Sequence, residues 1–88
     1  MLDKVKLALR ISNDKLDSDI QLWIDSALAE MVRVGINTNV DDALIQSAVI
    51  TYCKMQHTSD SKKFEQFGQS FTYQINNLRN TGEYQNGM

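Results

Sequence analysis

LDSDIQLWIDSALAEMVRVG, residues 16–35, is the stretch from which the architecture of this chain can be worked out. Its apolar residues recur every three or four positions, the spacing that places side chains on one face of an amphipathic helix. These residues are Ile20, Trp23, Ile24, Ala27, Met31 and Val34. Most of a helix's stability in water comes from packing such a face. We therefore predict a helix over 16–34 that packs against the other segments of the chain.

Both ends of this predicted helix carry recognisable signals. Ser18 followed three residues later by Gln21 fits a capping box, and the aspartates on either side of Ser18 suit the positive end of the helix dipole. Arg33 suits the negative end, and Gly35 is typical of a helix terminator. The sequence therefore predicts a helix with well-defined ends.

Three further segments show helical spacing, over 2–9, 40–57 and 61–79. The turn-forming sequences SNDK, INTNV and HTSDSK separate the four helices, and the chain contains no proline. The breadth of its apolar stripe predicts that the third helix is the most buried, and the short first loop predicts that helices one and two are neighbours. Besides Trp23 and its neighbours on the second helix, the residues expected in the core are Leu2, Val5, Leu9, Leu44, Ile45, Ala48, Val49, Tyr52, Met55, Phe64, Phe67, Phe71, Ile75 and Leu78.

Capping chemistry also places the starts of the third and fourth helices. Asn39 is the predicted N-cap of the third helix, with Asp41 and Asp42 in its first turn. One of the three polar residues 59–61 is the predicted cap of the fourth. Gly68 lies inside the fourth helix, where it either permits close contact with another helix or marks a bend.

The chain has 88 residues and a net charge of −2. This length fits one domain, and no strong electrostatic field is available to recruit nucleic acid or membrane. The expected fold class is all-α, a small bundle of about four helices over 1–79, followed by a flexible C-terminal tail over 80–88. The first ten residues lack the apolar run of a signal peptide, and no segment is apolar enough to cross a membrane.

We expect no catalytic residues, no metal site and no cofactor. Cys53 and His57 are spaced as two metal ligands on one helix face, but no other Cys or His is available to complete a zinc site. A packed cysteine and a histidine at a helix end explain them better. The paired carboxylates Asp17/Asp19 and Asp41/Asp42 lie where the helix dipole already accounts for them.

Three classes of function remain open from the residues. One is a structural subunit that gains stability by forming oligomers, because a small domain buries a limited share of its surface. The second is a helix-turn-helix DNA-binding regulatory module, since Gly35 lies in the short turn between helices two and three. That reading is disfavoured because Asp41 and Asp42 would face the phosphates. The third is a monomeric module that binds other proteins.

A family resemblance adds to this reading. In order, the chain shows LDKVKLALRI (2–11), DSDIQLWIDSALAEM (17–31), DDALIQSAVITY (41–52), a Phe-rich helix and GEY (82–84). These segments resemble the small head-tail connector proteins, also called adaptor or head-completion proteins, of siphophages and related prophages. The resemblance lies most clearly in Leu9-Arg10-Ile11, in the second helix, and in the apolar positions of the third.

The resemblance implies an all-helical subunit that forms a dodecameric ring on the portal protein of a DNA-filled head. The ring would extend the DNA channel and offer a docking surface to the next neck or tail protein, and DNA would pass through without specific binding. The implied location is the virion neck, after assembly in the cytoplasm of the bacterial host.

A ring contact is head-to-tail, so every subunit needs two different surfaces. We expect basic residues on or just after the first helix to meet acidic residues on the second helix of the next subunit. The basic residues are Lys4, Lys6 and Arg10, and the acidic residues are Asp17, Asp25 and Glu30. The tail is expected to order on the portal protein, with Tyr84 as its aromatic anchor.

Overall fold

A computed structural model describes residues 1–39 and 43–82. Within these ranges the chain forms four α-helices and no β-strand: α1 (Leu2–Leu9), α2 (Asp17–Arg33), α3 (Ala43–His57) and α4 (Ser61–Arg79). The predicted all-α bundle of four helices is confirmed. Residues 40–42 and 83–88 lie outside the described residues, and with them lie the predicted first turn of the third helix and most of the predicted tail.

The bundle is built around α3, which contacts each of the three other helices. Its buried side chains are Ile45, Ala48, Val49 and Cys53. The prediction that α1 and α2 are neighbours is confirmed. The third helix was predicted to be the most buried, and α2 and α3 each carry four buried residues. The remaining buried apolar residues are Val5, Ile20, Ile24, Ala27, Met31, Ile36, Phe71, Ile75 and Leu78.

The predicted capping box at the start of α2 is wrong. The helix begins at Asp17, its N-cap is Leu16, and no side chain caps it. Ser18 therefore lies inside the first turn, and the Gln21 amide donates to Asp25 at 3.0 Å. Leu16 packs against the core and its carbonyl accepts the amide of Ile20 at 2.8 Å, so burial of an apolar residue rather than a side-chain cap defines this helix start.

The C-terminus of α2 forms a Schellman motif, in which the chain reverses through a left-handed residue. Gly35 has φ +91°, the Gly35 amide donates to the Val32 carbonyl, and the Ile36 amide donates to the Met31 carbonyl at 2.9 Å. The motif turns Ile36 into the core, where none of it is exposed. The terminator role of Gly35 is thus confirmed. Ile36 is buried although it belongs to the turn-forming sequence INTNV.

The loop after α1 repeats this motif with a different residue. Arg10 has φ +60°, and the Ile11 amide donates to the Lys6 carbonyl at 2.9 Å. A left-handed conformation costs a residue with a Cβ about 1–2 kcal/mol relative to its preferred backbone. The short reversal nevertheless brings α1 against α2 and carries Ile11 to the edge of the core.

Two residues assigned to the core are exposed. Leu44 on α3 is 58% exposed and Phe64 on α4 is 48% exposed. Both lie in the first turn of their helix. Trp23 is half-buried at the edge of the core, with its ring centroid 6.1 Å from that of His57.

The cap of α4 and the burial of its central residues agree with the sequence analysis. Asp60 is the N-cap, and its carboxylate accepts the amides of Lys62 and Lys63 at 2.9 and 3.2 Å. Phe71 is buried and packs edge-on against Tyr52 of α3, with ring centroids 5.2 Å apart. The aromatic pair joins the middle of α4 to the central helix.

Gly68 faces α3 and offers a stabilising substitution. A Cβ at this position would lie 3.5 Å from the sulfur of Met55, an ordinary van der Waals distance. Since glycine in a helix interior is less favourable than alanine by about 0.5–1 kcal/mol, we expect Gly68→Ala to raise the free energy of unfolding by that amount. Urea denaturation measures it, with Gly82→Ala, outside the helices, as the control. A loss of stability in Gly68→Ala would mean that α4 packs more closely on α3 than described.

Candidate interaction surfaces

Lys6 and Asp17 form an ion pair that joins α1 to the start of α2. The Lys6 Nζ and Asp17 Oδ1 atoms are 2.7 Å apart, and the two side chains are 16% and 35% exposed. Partial burial makes this pair less subject to solvent screening than a fully exposed one. Two residues that the sequence analysis assigned to contacts between subunits thus contact each other within one subunit.

The other two basic residues of that set differ from each other. Lys4 donates to the Gln46 side chain of α3 at 3.0 Å, so it also connects elements of the same bundle. Arg10 is exposed at the α1–α2 reversal and makes no ion pair with any described residue. Of the three, Arg10 is the one whose charge points to solvent without a described partner.

The acidic residues farther along α2 are exposed or half-exposed. Arg33 donates through two guanidinium nitrogens to Glu30, with Nε to Oε2 at 3.0 Å. This hydrogen bond lowers the pKa of Glu30 and raises the pKa of Arg33. Asp25 is exposed and accepts from Gln21. Its carboxylate can accept further hydrogen bonds from a partner.

The described residues contain no group of three or more His, Cys, Asp or Glu side chains that could hold a metal ion. Cys53 is a buried residue of α3, whereas His57 is exposed at the end of the same helix beside Trp23. The packed cysteine and terminal histidine expected from the sequence are what these positions hold. No helix within 1–39 or 43–82 meets the length and hydropathy needed for a membrane span.

Burial raises the pKa of the Cys53 thiol to about 11 from its ordinary value of 9.0. We expect the native protein to react with a thiol reagent at least about a hundredfold more slowly than the unfolded chain, because the reactive thiolate is suppressed and shielded. Ser59→Cys in a Cys53→Ala background, with an exposed thiol, is the fast-reacting control. Rapid labelling of Cys53 in the folded protein would contradict its burial.

The same pKa shift predicts a loss of stability at alkaline pH. The folded state holds the Cys53 thiol proton more tightly than the unfolded state. The resulting contribution to the free energy of unfolding is therefore complete below pH 9.0 and is lost as the pH rises towards about 11. Comparison of the wild type with Cys53→Ala over this range isolates the contribution of the thiol.

Apolar side chains on the solvent sides of α2 and α4 were not singled out in the sequence analysis. Leu22 is 62% exposed, Val32 is 48% exposed and Tyr73 is 70% exposed. All three lie away from the apolar stripes that identified the helices. Their helical spacing relative to the buried residues could have predicted that they face away from the core. Only the packing shows that no described element covers them.

The fold and these surfaces define a small helical protein whose candidate binding residues are charged and apolar side chains on its outer faces. The sequence matches the family described as phage connector protein over residues 1–85. The chain therefore belongs to the phage connector protein family, a family of structural proteins, and the resemblance found in the sequence is confirmed. No curated protein and no solved structure gives a significant match.

Proposed function

We propose that the chain is the adaptor of a phage neck, a structural subunit that forms a dodecameric ring on the portal protein of a DNA-filled head. The observation that carries this proposal is the family match over residues 1–85. The ring extends the DNA channel and provides the docking surface for the next neck or tail protein. Its location is the virion neck, and its assembly takes place in the cytoplasm of the bacterial host.

The size and charge of the chain support this role. A domain of 88 residues has limited surface to bury internally and gains stability from contacts with other subunits. A channel through which DNA moves should not hold it tightly, and a net charge of −2 gives no general attraction for phosphates. We assign no enzymatic activity and no cofactor to the chain.

Of the six charged residues proposed for subunit contacts, Arg10 and Asp25 are the best placed. Lys6 and Asp17 already neutralise each other within the subunit, Lys4 binds Gln46, and Glu30 binds Arg33. Participation of those four would require them to exchange or share partners. Exposed ion pairs contribute specificity and association rate more than affinity, so apolar contacts must supply most of the binding energy.

The C-terminal tail is proposed as the portal-binding segment, separate from the helical domain. Hydrogen bonding at the end of α4 continues beyond Arg79: the Asn80 amide donates to Asn76 at 3.2 Å, and the Thr81 hydroxyl donates to Asn77 at 2.9 Å. A truncation that tests the tail should therefore leave these residues in place. Tyr84, which lies outside the described residues, is the proposed aromatic anchor.

Truncation after Gly82 should weaken attachment to portal-bearing heads while the helical content and thermal stability remain those of the full chain. Tyr84→Ala is expected to reproduce much of the loss, because a buried interface tyrosine commonly contributes about 2 kcal/mol or more. Phe64→Ala, which removes a half-exposed aromatic side chain from α4, provides the matched control. Undiminished attachment after truncation would mean that the portal-binding surface lies on the helices and not on the tail.

Sedimentation with isolated portal rings tests the proposed function itself. We expect the purified chain to sediment with portal rings and to saturate at a fixed ratio, whereas capsid shells without portal should not bind it. The alternative, a helix-turn-helix-like DNA-binding regulatory module, predicts a salt-dependent shift of duplex DNA instead. Binding to DNA without binding to portal would favour that alternative.

A further inference from the structure

We propose that neighbouring copies of this chain contact each other through the outer faces of α2 and α4, with α2 of one copy packed against α4 of the next. The proposal rests on the ring proposed above and specifies which surfaces close it. The α2 outer face consists of Leu22, Asp25, Ala29 and Val32. The α4 outer face consists of Lys62, Gln66, Gln69 and Tyr73. All eight residues are exposed.

The two faces lie on different sides of the central helix. Leu44 and Ser47 of α3 line a groove together with Leu78 of α4, whereas Ile45 lines a cavity with Leu28 of α2. At about 100° of rotation per residue, α3 thus directs successive residues towards different neighbours. α3 packs against both α2 and α4, and the residues of the two outer faces are exposed on separate helices. One subunit can therefore contact two neighbours at once.

The charges of the two helices are opposite in sign. Four carboxylates and one guanidinium give α2 a net charge of −3, and three basic residues and one carboxylate give α4 a net charge of +2. Asp19 and Asp25 on α2 and Lys62 and Lys63 on α4 make no ion pair with the described residues. Pairing α2 with α4 is therefore electrostatically complementary.

The same charges disfavour the symmetric alternatives. If α2 packed against α2, or α4 against α4, like charges would face each other, which suppresses wrong pairings. Contact between two different faces repeats from subunit to subunit and closes into a ring when the rotation allows it. The charge distribution thus selects the head-to-tail geometry that a ring requires.

The composition of the α4 outer face also fits a protein contact. No charged residue occurs between Gln66 and Leu78, although 23% of the chain is charged. Interface cores are depleted in charged residues and enriched in tyrosine, and Tyr73 projects from the middle of this uncharged stretch with 70% of its surface exposed. Leu22 and Val32 provide the apolar surface on α2. We therefore place Tyr73 within the contact, as its aromatic residue.

The area available predicts a weak contact between isolated copies. A helix of this length presents a footprint of the order of 300 Å², from its rise of about 1.5 Å per residue and its width of about 10 Å. Stable complexes bury about 800 Å² on each partner. Dilute protein should therefore be monomeric or a mixture, and the portal must hold the copies together while they pair.

Disulfide trapping tests the pairing directly. Single Ala29→Cys and Gln69→Cys variants of the full chain, mixed in equal amounts on portal-bearing heads and oxidised, should yield heterodimers in at least about tenfold excess over either homodimer, because the contact joins different faces. A chain carrying both substitutions should give a ladder of covalent oligomers. Gln56→Cys, exposed on α3 and outside both faces, should form neither product.

The outcomes separate this inference from the proposed function. Homodimers in excess, or cross-links only at Gln56→Cys, on heads that bind the chain would overturn the α2–α4 pairing while the adaptor role stands. Heterodimers formed in concentrated solution by a chain that does not bind heads would support the pairing and refute the portal role. Leu22→Cys with Lys62→Cys, each seven residues before the first pair, repeats the test two turns away, so that a folding defect in one variant does not decide the result.

Discussion

Phe71→Ala is expected to lower the free energy of unfolding by about 3–5 kcal/mol, the range for removal of a buried aromatic side chain. Phe71 is only 6% exposed, and its ring packs edge-on against Tyr52 of α3. The substitution would leave a cavity between the central helix and α4. Since a domain of this kind has a total stability of about 5–15 kcal/mol, urea titration should detect a large shift of the midpoint.

Phe64→Ala is the matched control, because it removes the same side chain from the same helix two turns earlier. Phe64 is 48% exposed, so we expect its removal to cost less than about 1 kcal/mol. Equal losses in the two variants would contradict the described docking of α4 on α3. That comparison decides whether the fourth apolar stripe is buried in its middle or along its whole length.

Ile36→Ala is expected to cost about 2–5 kcal/mol even though the residue lies in a loop. The Schellman motif at Gly35 turns the Ile36 side chain into the core, where it is fully buried. Val32→Ala, four residues earlier and 48% exposed, should change stability by less than about 0.5 kcal/mol. Thermal and urea unfolding of the two variants would measure the difference. A tolerated Ile36→Ala would show that the loop does not anchor α2 to the core.

The helices could be predicted from sequence because their apolar spacing is strong and their boundaries are marked locally. The periodicity from Ile20 to Met31, the cap at Asp60 and the glycine at position 35 are local signals. Each of them involves residues that are close together in the sequence. Local signals do not show how the helices pack against each other. Whether Leu44 or Phe64 is buried depends on how far a partner helix extends, and the burial of Ile36 depends on the direction in which a backbone reversal carries it.

The interaction surfaces were less predictable for a related reason. The charges of Lys6 and Asp17 suggested complementary patches on different subunits, but the α1–α2 reversal brings them 2.7 Å apart in one subunit. Sequence shows which residues are charged, and tertiary structure determines which of them already have partners. Once those pairs are removed, Asp19 and Asp25 remain on α2, and Lys62 and Lys63 remain at the start of α4.

The family assignment depended on a different kind of information. Segments such as DSDIQLWIDSALAEM and DDALIQSAVITY indicated a connector by resemblance, and the family match over residues 1–85 agrees. Without the resemblance, the residues indicate a helical domain and leave three classes of function open. A structural subunit has no catalytic constellation to detect, so its surfaces become informative only when a partner is known.

The most direct test of the adaptor role is to delete the gene from its phage or prophage and examine the particles by electron microscopy. We predict that DNA-filled heads and free tails accumulate separately, and that adding the purified chain to the extract joins them into infectious virions. Joined, infectious particles formed without the chain would contradict the account.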